Sequence, residues 1–516
     1  MSLLLKRHLL IGSLLVLSGA IACSHSPNAS VESVGTKASS IAVLDVPQNS
    51  EVNRSLIQIE NVEHHFFVKS SDLEVRSDFD LSWDQLPVNT LILFSNSKIP
   101  GLKLHEASLN GNPIKTESIS DDLPTILLRQ VGEESRKVQK LSVRYVRALP
   151  EDRGGVRRIS TYDLLYPARL TVDKNRLGYD LRPASFFSFG DTAKTRVSFE
   201  GIPKGWSVKA SSPTSSMSPL ITEALKTGRF TALLIDGSRW NSAAFEVSGT
   251  KFQLLTRKKK PVLKLNDVKD AVSKTWPKFV TLFGQPTAHV VIADLDWDVL
   301  SGGLIGANMI GLFALPELPE EAAEGIASDF GWKPERSTRQ LVERNYAGTK
   351  TSWRDYLQGM IAHELAHFYF GLGQTTEFAK EIHEMWFSLG MGMVYDRLVT
   401  EQSVGRPDVF FDGVEKNWLT KFKDNSAIDQ RLINPDRSGD KAAKLSRAHV
   451  YAHGKSSYVL RDLRNRIGPQ LFDRRVNQYL QGGVGGYAAF RAVLSDQLAT
   501  VEQWEKDWVI GWRAGH

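Results

Sequence analysis

The run Tyr356-Leu-Gln-Gly-Met-Ile-Ala-His363-Glu364-Leu-Ala-His367-Phe-Tyr-Phe370 decides the reading of this chain. On a helix, residues four apart share a face, so the imidazoles of His363 and His367 project side by side and can hold one zinc ion. Glu364 stands between them, placed to take a proton from an attacking water rather than to bind the metal. The other side of the same helix offers Leu357, Ile361, Leu365 and Phe368 for packing. H-E-x-x-H also arises by chance, and an ordinary helix containing it would bind no zinc. The surrounding sequence must therefore decide.

A catalytic zinc takes three protein ligands and leaves one position open. After His367 the candidates are Glu377, Glu381, His383 and Glu384, all within one predicted helix over 376–398. Glu381 and Glu384 are one turn apart, so either can face the metal. Upstream, Val268, Val272, Trp276, Phe279, Val280 and Phe283 recur at helical spacing, and Gly284 ends that pattern. His289–Ala293 reads as a buried strand. The glycine-punctuated run Gly302–Phe313 suits close backbone approach by another extended chain. Residues 314–350 read as a partly helical insertion, and from 375 onward helical patterns predominate.

Between about 54 and 255 the signal is β. Short apolar runs such as Leu91-Ile-Leu-Phe94, Leu141–Val146 and Phe230–Ile235 are separated by turn clusters such as Asn110-Gly111-Asn112-Pro113. This predicts an all-β saddle or sandwich domain. At the N-terminus, Lys6 and Arg7 precede the apolar stretch Leu9–Leu17, which has the layout of a secretory signal and is short for a bilayer span. Cys23 is the single cysteine, so no internal disulfide can form and stability must come from core burial. The segment 24–53 is rich in Ser, Ala, Val and Asn and reads as a flexible tether. A net charge of +6 over 516 residues does not argue for nucleic-acid binding.

Taken together, these motifs resemble known families. Ser18-Gly-Ala-Ile-Ala-Cys23 resembles a bacterial lipobox, with Ala20 where Leu is commoner; the resemblance implies lipidation of Cys23, and Ser24 implies sorting to the outer membrane. His363-Glu-Leu-Ala-His-Phe-Tyr-Phe-Gly371 resembles the first active-site helix of the gluzincin peptidases, in particular the aminopeptidase N-like family and, more distantly, the glycyl aminopeptidases. In that family the third ligand lies in an N-E-G-F-A-type run on the next helix. Ile382-His-Glu-Met-Trp-Phe-Ser388 occupies the corresponding place and implies Glu384 as the third ligand, with Glu381 the alternative. Sixteen residues separate His367 from Glu384, a loop slightly shorter than the family's. Ser388 stands where a supporting carboxylate is often found. Val450-Tyr-Ala-His-Gly-Lys and the following Val459–Gly468 look like the family's Y-x-K-G segment and its helix, which implies Tyr451 as hydrogen-bond donor to the oxyanion. The family's amine-binding strand reads Gly-Ala-Met-Glu-Asn; Gly306-Ala307-Asn308-Met-Ile310 matches its place and lacks the carboxylate that holds a substrate's free amine. Gly306, Ala307 and Asn308 remain placed to pair with an extended peptide by β-addition.

The expectation is thus a multidomain α+β chain. Residues 1–22 are a signal peptide and 23–53 a lipidated cysteine with its tether. A β domain comes next, over 54–255. Residues 256–400 form a thermolysin-like catalytic domain, and 401–516 its helical C-terminal part. The expected function is peptide-bond hydrolysis with one zinc per chain, held by His363, His367 and Glu384, with Glu364 as general base and Tyr451 at the oxyanion. Peptides or proteins are the expected substrates, cleaved by exo- or endopeptidase action. The expected place is the bacterial envelope, an outer-membrane lipoprotein facing the periplasm through Cys23, with no nucleic-acid partner. The alternative is a binding or scaffold lipoprotein that keeps the peptidase fold without turnover.

Overall fold

The computed structural model describes residues 57–83, 91–95, 99–120, 125–129, 135–160, 164–173, 180–183, 188–210, 220–224, 230–259, 261, 263–295, 303–306, 309–312, 353–370, 385–404, 456–482 and 486–510. Chain contacts divide it into two compact units, one ending at Ser238 and the other starting at Arg239.

The first unit is built from long, period-two strands. β1 (Gln58–Val68), β2 (Asp72–Trp83), β3 (Ser135–Ala148) and β4 (Ser188–Glu200) lie at the centre of a seven-stranded sheet in the order Leu220–Ala224, β4, β1, β2, β3, Lys103–Leu109, Asn112–Pro113. In β1, Val62, His64, Phe66 and Val68 are buried and the residues between them are not, as the pleat dictates. Asn110 and Gly111 both adopt positive φ and turn the chain between the last two strands, the backbone that an Asn-Gly pair tolerates best. A five-stranded and a three-stranded sheet complete the unit. All three contribute to one core, from Phe66, Phe79 and Phe199 to Leu93, Ile126 and Leu234. Among the polar groups enclosed in this unit is His64, which has Ser77 Oγ at 2.8 Å and Tyr166 OH at 3.0 Å. Burial, with a smaller push from His65, lowers the His64 pKa to about 3.

The second unit opens with a hairpin, β5 (Trp240–Val247) and β6 (Thr250–Arg257). The sequence pattern carries the β region on to 255. Sheet pairing instead assigns this hairpin to the second unit, because β6 runs parallel to β7 (His289–Asp294). The sheet continues through β9 (Met309–Leu312) to β8 (Gly303–Gly306), in the order β5-β6-β7-β9-β8. Helix α1 (Leu265–Phe283) connects β6 to β7 and buries Val268, Val272, Trp276 and Phe279, the stripe its spacing predicts. Gly284, at φ 80°, ends it.

The remaining described elements are helical, apart from short turns. They are α2 (Trp353–Ala366), α3 (Met385–Val404), α4 (Ser456–Ile467), α5 (Pro469–Gln481), α6 (Tyr487–Val493) and α7 (Leu498–Trp504). Together with α1 and the sheet they share one core. Leu357, Ile361, Leu365 and Phe368 are all buried in it, as the α2 pattern requires. Trp504 is fully buried and donates its Nε1–H to Val459 O at 2.9 Å. Among the described residues no helix is long and apolar enough to cross a membrane.

Candidate metal centre

The site is made where α2 and α3 pack against each other. His363 lies on the last turn of α2 and His367 immediately beyond it, and their Nε2 atoms stand 3.2 Å apart. Two nitrogens bound to one tetrahedral zinc at about 2.0–2.1 Å would be separated by roughly 3.3 Å. The pair is therefore already set for a shared ion. The other ring nitrogens face away from that point and are tied down. His363 Nδ1 meets Asp396 Oδ2 of α3 at 2.7 Å, and His367 Nδ1 meets Phe370 O at 3.2 Å. This is how a protein orients metal-binding imidazoles, by occupying the nitrogen that does not bind.

Glu364, on α2 between them, is fully buried, and neither carboxylate oxygen has a hydrogen-bond partner. Leaving both oxygens of a buried carboxylate unsatisfied costs several kcal/mol in an ordinary core, on the order of 1–3 per group and more if charged. Such a carboxylate is available to a water or a substrate group. Burial, reinforced by the Asp396 carboxylate, pushes the Glu364 pKa up to about 8. Burial lowers His363 to about 4, with Arg397 contributing, and His367 to about 3, with His363 contributing. Asp396 is raised well above the usual carboxylate range by burial, against the pull of Arg397. Without a counter-ion, then, the pocket favours neutral forms throughout. A bound dication would reverse the preference for both carboxylates while requiring the neutral imidazoles the pocket already supplies.

α3 comes close because of its glycines. A Cβ at Gly390 would lie 2.7 Å from Ser456 Cβ and 2.8 Å from Leu460 Cδ1, so this residue sets the approach of α3 to α4. A Cβ at Gly392 would come to 3.8 Å from His367 Nδ1, so the helix backbone backs directly onto that ring.

Of the residues singled out from sequence, the structure brings His363, Glu364 and His367 together. Gly306 ends β8, the last strand of the described sheet order, paired to Met309. Glu384, Glu381, Tyr451, Ala307, Asn308 and Cys23 lie outside the described residues. Among the described residues, no three His, Cys, Asp or Glu side chains converge on a metal position. Asp396 is the residue that sequence reasoning misses. It stands 33 residues after His363, in a run whose only local message is a helix. The first carboxylate along that helix is the signal that could have pointed to it.

Residues 329–505 match the family model for the Peptidase family M1 domain. No curated protein sequence matches the chain. Among solved structures, the M1 zinc metallopeptidase from Deinococcus radiodurans is similar over 88% of this chain and 94% of its own, at 12% identity and a TM-score of 0.56. Native yeast LTA4 hydrolase is similar over 89% of this chain and 68% of its own, at 12% identity and a TM-score of 0.59. At such identity the likeness is one of fold, a β-rich N-terminal unit followed by a largely helical region. The domain match and this fold agree with the resemblance to aminopeptidase N-like gluzincins and support a zinc metallopeptidase.

Proposed function

We propose that this chain, carrying a peptidase family M1 domain, hydrolyses peptide bonds with the help of a zinc ion held by His363 and His367. The observation that carries the reading is the pairing of two converging Nε2 atoms with a buried carboxylate that has no partner of its own. Zinc, when bound, supplies a Lewis acid that polarises the scissile carbonyl and eases deprotonation of water. Glu364 accepts the proton of the attacking water and returns it to the leaving amine. Asp396 keeps His363 in the tautomer that presents Nε2. Tyr451 is proposed as the donor to the developing oxyanion.

The substrate is proposed to lie along β8, adding a strand to the sheet and forming its main-chain bonds near Gly306, Ala307 and Asn308. With no carboxylate in that run to hold a free amine, cleavage of internal bonds is proposed alongside aminopeptidase action. Lipidation of Cys23 is proposed to tether the enzyme to the periplasmic face of the outer membrane; radiolabelled palmitate incorporation lost in Cys23→Ala checks it.

Glu364→Gln tests the chemistry. It should lower kcat/KM by on the order of 10³ or more while bound zinc, measured by elemental analysis, stays at the wild-type level. Near-wild-type turnover in the variant would refute the mechanism. A peptide library with free and blocked N-termini distinguishes exo- from endopeptidase action. A binding role without turnover is the second reading, favoured by the missing carboxylate at 306–310 and by Ser388 in place of a supporting acid.

A further inference from the structure

The two helices that build the centre run antiparallel, because His363 is met by Asp396 while His367 is met by the earlier Gly392. Leu389, Gly392 and Asp396 are spaced three and four apart, so their backbone positions fall on one side of α3, the side turned to the histidines. From Met385 to Tyr395 the helix reads Met-Trp-Phe-Ser-Leu-Gly-Met-Gly-Met-Val-Tyr and holds no Asp, Glu, His or Cys. Its first carboxylate is Asp396, whose Oδ2 is engaged at His363 Nδ1, the ring nitrogen opposite the one that faces His367. Leu389 lies four residues beyond Met385, about 6 Å along the axis at 1.5 Å per residue. More than a full turn of α3, holding no Asp, Glu, His or Cys, thus precedes that level. A donor preceding α3 is therefore not brought level with the histidine pair by the helix itself.

We propose that the metal centre of this chain rests on two protein ligands, His363 and His367, with Leu389 at the position on α3 that a third carboxylate would take. The remaining coordination positions fall to exchangeable oxygen donors such as water, buffer anions or a substrate carboxylate. The ion is then weakly held and exchanges quickly, and loading tracks the free zinc concentration. The inference rests on the zinc reading for the histidine pair and departs from the resemblance at the third ligand alone.

Zinc affinity of the full chain, measured by competition with a chromophoric chelator, decides the matter without reference to activity. Glu384→Gln and Glu381→Gln should each change the dissociation constant by less than about threefold, whereas loss of a true ligand or its direct partner costs roughly tenfold or more. Leu389→Glu should tighten binding by at least about tenfold. His363→Ala should abolish it, with circular dichroism checking that the variant is folded. A tenfold or greater loss in Glu384→Gln or Glu381→Gln overturns the two-ligand centre while leaving the zinc reading standing, and so does unchanged affinity in a folded Leu389→Glu. Wild-type protein that binds no more zinc than His363→Ala overturns both.

Discussion

At the scale of single residues, the centre depends on groups held uncharged by burial. Glu364 has a folded-state pKa of about 8 against an ordinary value of 4.5. A carboxyl raised in this way contributes stability that is fully present below 4.5 and is lost as the pH rises through 8, on the order of 1.4 kcal/mol per pH unit in that window. Metal-free Glu364→Gln should therefore gain in Tm over metal-free wild type as the pH rises from 5 to 8; a difference that does not vary with pH would contradict the burial argument. Asp396→Asn tests the support of His363. Zinc affinity should fall by about 10–100-fold with the Tm of the metal-free protein little changed. The two residues differ in legibility. His363, Glu364 and His367 declare themselves because their function requires a spacing on a single helix. Asp396 acts across a helix pair, and its own helix marks it only as the first carboxylate along its length.

At the scale of elements, the approach of α3 is what makes a centre from α2. Gly390 has no room for a side chain against Ser456 and Leu460. Gly390→Ala should cost about 1–3 kcal/mol as α3 moves away from α4, read as a lower Tm. Because α3 also backs the histidines, zinc affinity should fall with it. The helical pattern of α1 and the buried run of β7 are open to sequence reading because each buries a continuous face of its own residues. The sequence pattern puts the hairpin of β5 and β6 on the wrong side of the boundary for a physical reason. Period-two alternation reports that a strand is half-buried, but not which sheet it joins. Only the parallel pairing of β6 with β7 places it in the second unit.

At the scale of the whole molecule, two cores with no covalent cross-link carry the stability, one in each unit. Calorimetry should resolve separate contributions: Gly390→Ala should shift the transition of the second unit and leave that of the first in place. Acid should act on the first. His64 is held near pKa 3 when folded and returns to about 6.5 when unfolded. Its contribution is present above 6.5 and is lost as the pH falls below it, by on the order of 1.4 kcal/mol per unit down to about 3. The first unit's transition should therefore drop more steeply between pH 6.5 and 4 in wild type than in His64→Gln, which cannot charge.

Sequence alone determined the features set by local periodicity and by spacing along one element. Those include the β-rich half, the helical half, the histidine pair with its glutamate, and the want of an acidic residue at 306–310. The tertiary structure alone decided whatever depends on one element meeting another. It set the two Nε2 atoms 3.2 Å apart, brought Asp396 behind His363, left Glu364 without a partner, and gave the β5–β6 hairpin to the second unit. The division has a single cause. A helix or strand specifies its own faces through bond geometry, whereas the identity of its neighbour is settled by the packing of side chains far apart in the chain.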